Sequence, residues 1–353
     1  MCGLVLGLAV LSVPELRAGV AAASSHVSQQ CSEVRESTFG GRPISGDYGK
    51  RSSVCFQVTV GATTPLMLAV EVGGQYGYVA KDESRARITS AGGDVSHCSV
   101  NWSDNQSCLV SGRIDIVVTR GSWPTYGFWL YNLTKNSGCA ETGTPRLRPA
   151  GTIGKPRLMG QVLCYGVNSS SGMQLVEALW ASGPYPGAPL LEGEMVNTAG
   201  QRLCLVGVNE VSGLGNACRA SGPVKVLLTE TFGYQLLTSY AFDVFNAASP
   251  QRCRVVNAQS GGRFTWNPWT ANDPLCVRVV GKGNFEITTT TFPELSVLDP
   301  AGRLENGVNI PSGFFPKRCY PLWGKATVLL LDSSPSPTPG PQPMSGSIGS
   351  CPT

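Results

Sequence analysis

Few residues in this sequence are arranged for acid–base or nucleophilic chemistry. There are two histidines, His26 near the N-terminus and His97 beside Cys98. A Ser-His-Asp triad would have to use one of them, and no Gly-x-Ser-x-Gly turn lies near either. Paired carboxylates, as in glycosidases, need no local motif. We therefore expect a protein that is not an enzyme, with a secreted hydrolase, or an accessory module of one, as the alternative.

Motifs for metals, nucleotides and nucleic acids are also missing. The sequence has no Cys-x-x-Cys or His-Glu-x-x-His pattern of the kind that binds zinc, and no Gly-x-Gly-x-x-Gly after a strand. The net charge is +4, and the lysines and arginines form no run, which disfavours a nucleic-acid interface. We expect no cofactor, no metal and no nucleic-acid partner.

The N-terminus and the cysteines indicate export. Residues 4–13 form a short apolar core, and the alanines at 21–23 offer a cleavage site, as in a secretory signal. No other segment has the apolar length of a membrane span. Of thirteen cysteines, Cys2 falls in the signal, which leaves an even twelve. In a secreted chain that number favours disulfides, so we expect a secreted or cell-surface protein.

The cysteines recur with a period of about 110 residues. Cys31, Cys139 and Cys253 each precede a second cysteine by 24, 25 and 23 residues. Such fixed periodicity marks a tandem array. We assign residues 1–23 to a signal peptide, 24–138 to repeat 1, 139–252 to repeat 2, 253–332 to repeat 3 and 333–353 to a Pro/Ser-rich tail.

The most economical disulfides lie within repeats. Cys319 then lacks a local partner, and Cys351 becomes its default mate, although an intermolecular bond through Cys351 stays open. The predicted pairs are Cys31–Cys55, Cys98–Cys108, Cys139–Cys164, Cys204–Cys218, Cys253–Cys276 and Cys319–Cys351.

Alternation of apolar residues predicts β-strands. In GRIDIVVT (112–119), Ile114, Ile116 and Val118 share one face and Asp115 lies on the other. Similar short runs bounded by Gly, Pro, Asn or Ser fill the chain. The predicted fold is all-β: a tandem array of three antiparallel β-sandwich or jelly-roll repeats, the third incomplete. It is called incomplete because repeats 1 and 2 end in YGFWLYN (126–132) and YAFDVFN (240–246), and repeat 3 has no such ending.

Several short motifs resemble those of secreted bacterial proteins related to pre-peptidase C-terminal (PPC-like) domains. They are CYGV (164–167), NTAGQRLC (197–204), CRASGPVKVLLT (218–229) and the Tyr-x-Phe ending before Cys253. The resemblance implies noncatalytic β-sandwiches attached to enzymes or strung in arrays. This chain has no attached catalytic domain, and the family supplies no site residues to transfer.

Tryptophans are the candidate binding residues. Trp129 aligns with Asp243 in repeat 2, and a position that accepts aspartate is expected to face solvent. An exposed indole can stack on a sugar ring or a peptide aromatic group, and Trp123 and Trp102 could join it. The alternative is that Trp129 packs against the neighbouring repeat.

These observations favour a noncatalytic extracellular protein for adhesion, glycan or protein binding, or structure. Asn132 and Asn168 lie among four glycosylation sequons, which would mark surface loops in a eukaryotic host. A polymerising matrix or appendage protein is a further alternative, because the strand missing from repeat 3 could be donated by another chain.

Overall fold

A computed structural model describes the chain from residue 31 onward, with gaps. The described residues are 31–71, 85–92, 99–100, 106–121, 123–146, 152–154, 158, 160–182, 190–205, 212–214, 217–232, 239–249, 253–266, 275–289, 294–299, 317–321, 325–331 and 344–351. The regular secondary structure in these ranges consists of β-strands and contains no helix, so the predicted all-β class is confirmed.

Segment 1 (residues 31–138) is built around two long strands that bend over a core. Strand β3 pairs with β6 along two stretches, and the register shifts between Val60 and Thr64. Every second residue of β3 faces one apolar core, from Val54 to Val60 in the first stretch and from Leu66 to Val70 in the second. Its strands are β1 (Ser32–Glu33), β2 (Ile44–Asp47), β3 (Ser53–Val70), β4 (Arg85–Gly92), β5 (Ser99–Val100), β6 (Gln106–Thr119) and β7 (Thr125–Asn132).

The strands of segment 1 form one seven-stranded sheet in the order β2-β7-β3-β6-β4-β5, with β1 on β3. Because β3 and β6 bend together, the sheet supplies both layers around the core. The inner layer residues Phe56, Ile116, Phe128 and Leu130 are all buried.

Segment 2 (residues 139–249) has two separate sheets. One has the order β13-β12-β16-β10-β8, and the other has β14-β11-β17-β9 with β15 on β11. The strands are β8 (Ala140–Gly143), β9 (Thr152–Gly154), β10 (Val162–Val167), β11 (Gln174–Ser182), β12 (Leu190–Asn197), β13 (Arg202–Leu205), β14 (Ser212–Leu214), β15 (Cys218–Arg219), β16 (Val224–Phe232) and β17 (Ser239–Asn246).

Segment 3 (residues 253–351) repeats this plan with sheets β18-β20-β24-β22 and β19-β25-β21-β23. Its strands are β18 (Arg254–Asn257), β19 (Gly262–Trp266), β20 (Leu275–Val280), β21 (Asn284–Thr289), β22 (Glu294–Leu298), β23 (Lys317–Pro321), β24 (Lys325–Leu331) and β25 (Met344–Ser350).

The prediction that repeat 3 is incomplete was wrong. Strand β25 lies between β19 and β21, the place that β17 holds between β9 and β11 in segment 2. Its sequence, MSGSIGS, is rich in Gly and Ser, residues that are poor β-formers or turn-formers, and it follows a proline-rich stretch. The buried Ile348 fixes its register by pairing with Ile287. Residues 344–350 therefore belong to segment 3 and not to a tail.

The segments are not purely antiparallel. In each one the first strand pairs in parallel with the strand that carries the second cysteine: β1 with β3, β8 with β10 and β18 with β20. A disulfide spans each of these pairs. The five described disulfides are those predicted from the sequence: Cys31–Cys55, Cys139–Cys164, Cys204–Cys218, Cys253–Cys276 and Cys319–Cys351. Cys108 is also disulfide-bonded, and its predicted partner Cys98 lies outside the described residues.

Candidate binding site

Trp129 is buried, so its prediction as an exposed binding residue was wrong. The indole has no exposed surface, and its Nε1 donates a hydrogen bond to the Gly41 carbonyl at 3.1 Å. It belongs to an apolar cluster that joins β3 and β7 of segment 1 to β10, β12 and β16 of segment 2. We call this cluster the junction; its buried members are Phe39, Met67, Ala69, Trp129, Tyr131, Leu133, Val162, Cys164, Val196 and Leu227.

The junction forms because β7 is apolar on both faces. Phe128 and Leu130 point into the core of segment 1, whereas Trp129 and Tyr131 point to segment 2. The Tyr131 ring stacks on Phe39 with centroids 4.8 Å apart. A strand buried on both faces loses the polar alternation that marks an outer surface.

The aspartate at the matching position in segment 2 is buried as well. Asp243 is 2% exposed and pairs across the sheet with Ala178, just as Trp129 pairs with Ala69. The inference that a position accepting aspartate must face solvent therefore fails, because both copies lie on a buried face.

Polar contacts also hold the junction. Lys225 on β16 is buried, and its Nζ donates to the Leu133 carbonyl and, at 3.0 Å, to the Lys135 carbonyl. Burial lowers the pKa of Lys225 to about 8. The amide of Gln161 donates to the Gly40 and Gly41 carbonyls at 2.8 and 3.0 Å. These bonds tie the loop before β2 and the end of β7 to segment 2.

Glu194 is a buried carboxylate on the same sheet face as Val196. Its Oε1 has no hydrogen-bond partner, which is costly for a buried polar atom. Burial raises its pKa to about 7, and the nearby Arg202 opposes that shift. Glu194 was not among the residues predicted from the sequence; the alternation EMV, which puts Glu194 on the face of Val196, was the signal.

A cleft of about 240 Å³ opens where the two segments meet. It is lined by segment 1 residues from β3 and β6 and by the β12–β13 turn of segment 2: Pro65, Ser107, Cys108, Leu109, Gly200, Gln201 and Arg202. The cleft is small, and one of its lining residues, Arg202, is the cation that acts on the buried Glu194 carboxylate.

Of the other two predicted tryptophans, Trp123 is accessible and Trp102 lies outside the described residues, as do His26 and His97. Trp123 is 49% exposed in the loop before β7. Two backbone bonds hold this loop beside the β2–β3 turn: Tyr48 N to Pro124 O at 2.9 Å and Arg120 N to Ser52 O at 2.8 Å.

Arginines cover the outer face of segment 1 next to that loop. On β4, Ala86 and Ile88 face the core, so Arg85 and Arg87 point outward and are exposed. Arg113 is exposed on the same face of β6. Arg85 pairs with Thr119, one residue before the exposed Arg120. We call this surface, with the nearby Arg51, the arginine face.

The arginine face corresponds to the junction face of segment 2. Strands β3, β4 and β6 here match β10, β12 and β16 there, and Asp115 holds the place of Lys225, as pairing with Gln57 and Gly166 shows. Asp115 accepts a hydrogen bond from the Gln57 amide at 2.6 Å. The same sheet face is thus covered in segment 2, whereas in segment 1 it carries exposed arginines together with the buried Gln57.

One sequon does not mark a surface loop. Asn132 is 8% exposed, its amide donates to Glu36 at 2.9 Å, and its Oδ1 accepts from Thr134 N at 3.0 Å. Asn168, in contrast, is exposed in the turn after β10. Glycosylation stays a prediction for this site.

Neither a metal cage nor a spanning helix is found in the described ranges. No group of three His, Cys, Asp or Glu side chains there is placed to hold a metal ion. No helix of the described chain has the length and hydropathy to cross a membrane.

Comparisons with known proteins give no family. No family model matches the chain, and no curated protein does. Solved structures that match include the CUB1-EGF-CUB2 domain of human MASP-1/3, at 10% identity and a TM-score of 0.18, covering 56% of this chain and 95% of that one. The CUB1-EGF-CUB2 domains of rat MASP-1 match at 7% identity and a TM-score of 0.19, over 60% and 100% of the two chains.

Tripeptidyl peptidase 2 also matches, at 8% identity and a TM-score of 0.21, over 90% of this chain and 32% of that one. Similarities this weak carry no conclusion about fold or function. The described disulfides by themselves fit a protein of an oxidising, extracellular compartment.

Proposed function

We propose that this chain is a noncatalytic extracellular protein that binds a ligand through the outer face of segment 1. The proposal rests on one observation: the same sheet face has different surroundings in segments 1 and 2. In segment 2 that face is buried against segment 1, whereas in segment 1 it is partly exposed and carries exposed arginines beside Trp123.

The rest of the molecule fits a scaffold for display. Disulfides pin the first strand of every segment, and the junction fixes two segments against each other. Rigid, pre-ordered scaffolds bind with a smaller loss of conformational entropy than flexible chains. The proposed roles are adhesion, glycan or protein binding, or extracellular structure, in keeping with the PPC-like resemblance that we propose from the cysteine and glycine motifs.

The polymer alternative loses its starting argument. It required an unfilled strand position in segment 3, and β25 fills that position. No described feature favours the hydrolase over the binding protein, so it stays the alternative to test.

Retention on insoluble extracellular polysaccharide tests the proposed function. The purified chain is expected to sediment with polysaccharide mats, and Trp123→Ala to sediment less, while the mats release no sugar over hours. A serum albumin sample controls for trapping. Release of sugar in proportion to protein concentration, or no retention on any glycan or cell-surface preparation, would overturn the proposal.

A further inference from the structure

The arginine face has the chemistry of a polyanion-binding surface. Arg85 and Arg87 point the same way from one strand, about 7 Å apart. Arg113 lies on the neighbouring strand, and Arg51 and Arg120 lie at the end of the sheet near Arg85. All five side chains are exposed.

Few negative groups offset these cations in the described part of segment 1. Asp115 lies on the same face and bonds Gln57, and Glu33 is exposed on β1 beside it. The exposed Asp47 lies near Arg51, since both charges act on the Tyr126 hydroxyl, and it offsets the charge at that end of the face. The one ion pair between described residues, Lys135 with Glu36, lies elsewhere, at the end of β7. The arginines are therefore available to an external anion.

The arginine face carries no large exposed apolar side chain, and its Val117, which pairs with Arg87, is half-buried. The large exposed apolar residues of the described chain are Leu109, Trp123, Leu205 and Val255, and none of them lies on the outer face of β3, β4 and C-terminal β6. Stable protein interfaces have an apolar, charge-depleted core. A flat surface of guanidinium groups instead suits a linear polymer that presents anionic groups in series.

We infer that the arginine face binds an anionic polysaccharide, with Trp123 stacking on a sugar ring at its edge. The compartment argues for a polysaccharide over a nucleic acid, because the disulfides fit an oxidising exterior. Trp123 lies three residues after Arg120 in the loop that borders the face, where an indole can cover the apolar side of a sugar ring. This inference rests on the proposed function and names its ligand class.

The test compares two triple variants on immobilised dextran sulfate, with neutral dextran as the matrix control. R85Q/R87Q/R113Q removes the outward arginines, and R254Q/R263Q/K282Q removes three exposed cations of segment 3. Binding through counterion release gives a linear dependence of log Kd on log salt. R85Q/R87Q/R113Q is expected to lower the magnitude of that slope by roughly two to three and to weaken binding at low salt by about tenfold or more. The second is expected to bind almost as the unmodified chain does.

Trp123→Ala distinguishes a sugar ring from a bare charge. It is expected to weaken binding to dextran sulfate while leaving the salt slope unchanged. A polyuronate column shows whether carboxylates replace sulfates, and either anion supports the inference. Equal losses from both triples would overturn the site, because net charge alone would then explain binding.

Two further outcomes separate this inference from the proposed function. Equally tight binding to double-stranded DNA would overturn the polysaccharide assignment. Retention on a neutral glycan or cell-surface preparation, without any retention on sulfated or carboxylated polymers, would overturn the anionic ligand class and leave the proposed binding function standing. Unchanged thermal unfolding of both triples confirms that the variants are folded.

Discussion

The same pair of strands presents three different outer faces in the three segments. In segment 1 the outward residues of β3 and β7 are Met67, Ala69, Trp129 and Tyr131, all buried in the junction. In segment 2 the register places Val176, Ala178, Asp243 and Phe245 at these positions. In segment 3 they are Glu286, Thr288, Ser347 and Gly349.

The exposure of these outward residues also differs between segments 2 and 3. Val176, Asp243 and Phe245 are at most 2% exposed, although they do not belong to the core of segment 2. Cys276 and Leu298, which match Cys164 and Val196 of the junction, are buried in segment 3. These residues lie outside the core clusters of segments 2 and 3. The face that Glu286, Thr288, Ser347 and Gly349 form in segment 3 is only partly buried.

One sheet pattern therefore serves either as internal packing or as surface, depending on its outward residues. Trp129 is the strongest example of internal packing, and the arginine face is the strongest example of a surface.

Trp129→Ala gives the largest expected effect. Truncating a fully buried indole leaves a cavity and removes one of the two side-chain hydrogen bonds to the Gly41 carbonyl, so the free energy of unfolding should fall by about 3–5 kcal/mol. Chemical denaturation measures the loss. Trp123→Ala is the matched control, with an expected change within about 0.5 kcal/mol. Where the alanine variant does not fold, Trp129→Phe should show an intermediate loss; equal small effects at both tryptophans would break the comparison.

Removing the Cys319–Cys351 disulfide is the next largest change. In segments 1 and 2 the chain continues from β7 and β17 into the next segment, whereas β25 is held by this bond. C319S/C351S should lower the stability of segment 3 by about 2–4 kcal/mol. Hydrogen exchange should then increase along β25 and not along β7. Unchanged protection of β25 would show that pairing with β19 and β21 is enough.

Gly200→Ala tests close packing at the rim of the junction. Gly200 has a φ of +75°, and a Cβ there would lie 2.5 Å from Pro65 Cγ and 2.8 Å from Leu133 Cβ. Gly172 has a φ of +86° with open space around it, so Gly172→Ala carries backbone strain alone. Strain costs about 1–2 kcal/mol, and Gly200→Ala should cost more than that in thermal unfolding. Equal costs would mean that the segments separate easily.

Glu194 should make the junction sensitive to pH. Its folded pKa of about 7 exceeds the usual 4.5, so the folded protein binds more protons between these values. Stability should therefore fall as pH rises from 4.5 to 7 and stay reduced above that. Glu194→Gln should remove this fall, which is on the order of 1–3 kcal/mol. The midpoints of urea unfolding at pH 4, 6 and 8 measure this fall. If stability changes with pH in the same way in both proteins, Glu194 is not the source of the pH dependence.

The sequence predicted what depends on spacing and alternation. The fixed separation of 23–25 residues identified Cys31–Cys55, Cys139–Cys164 and Cys253–Cys276, because it brings the same two strands of each repeat together. Cys204–Cys218 followed from pairing within the repeat, and Cys319–Cys351 followed because Cys319 had no other partner. Alternation such as Ile114, Ile116 and Val118 identified strands, since those residues enter a core. Cysteine separation and apolar alternation both depend on residues close in the sequence, and both recur in each segment.

It could not predict what depends on contacts between segments. Trp129 and Asp243 differ in polarity, yet both are buried, because burial there depends on the neighbouring segment. Strand β25 carries few β-forming residues and takes its place through Ile348 and Cys351. The arginine face needed the register of β4 on β6, which joins residues about 30 positions apart.

The most direct test measures both stability and retention for Trp129→Phe and for R85Q/R87Q/R113Q. We expect the two variants to fail in different assays. The tryptophan variant should unfold at a lower denaturant concentration but, while folded, should stay on dextran sulfate as long as the unmodified chain does. The arginine variant unfolds unchanged but elutes at lower salt. Loss of retention by folded Trp129→Phe, together with full retention of the arginine variant, would contradict the division between packing face and binding face.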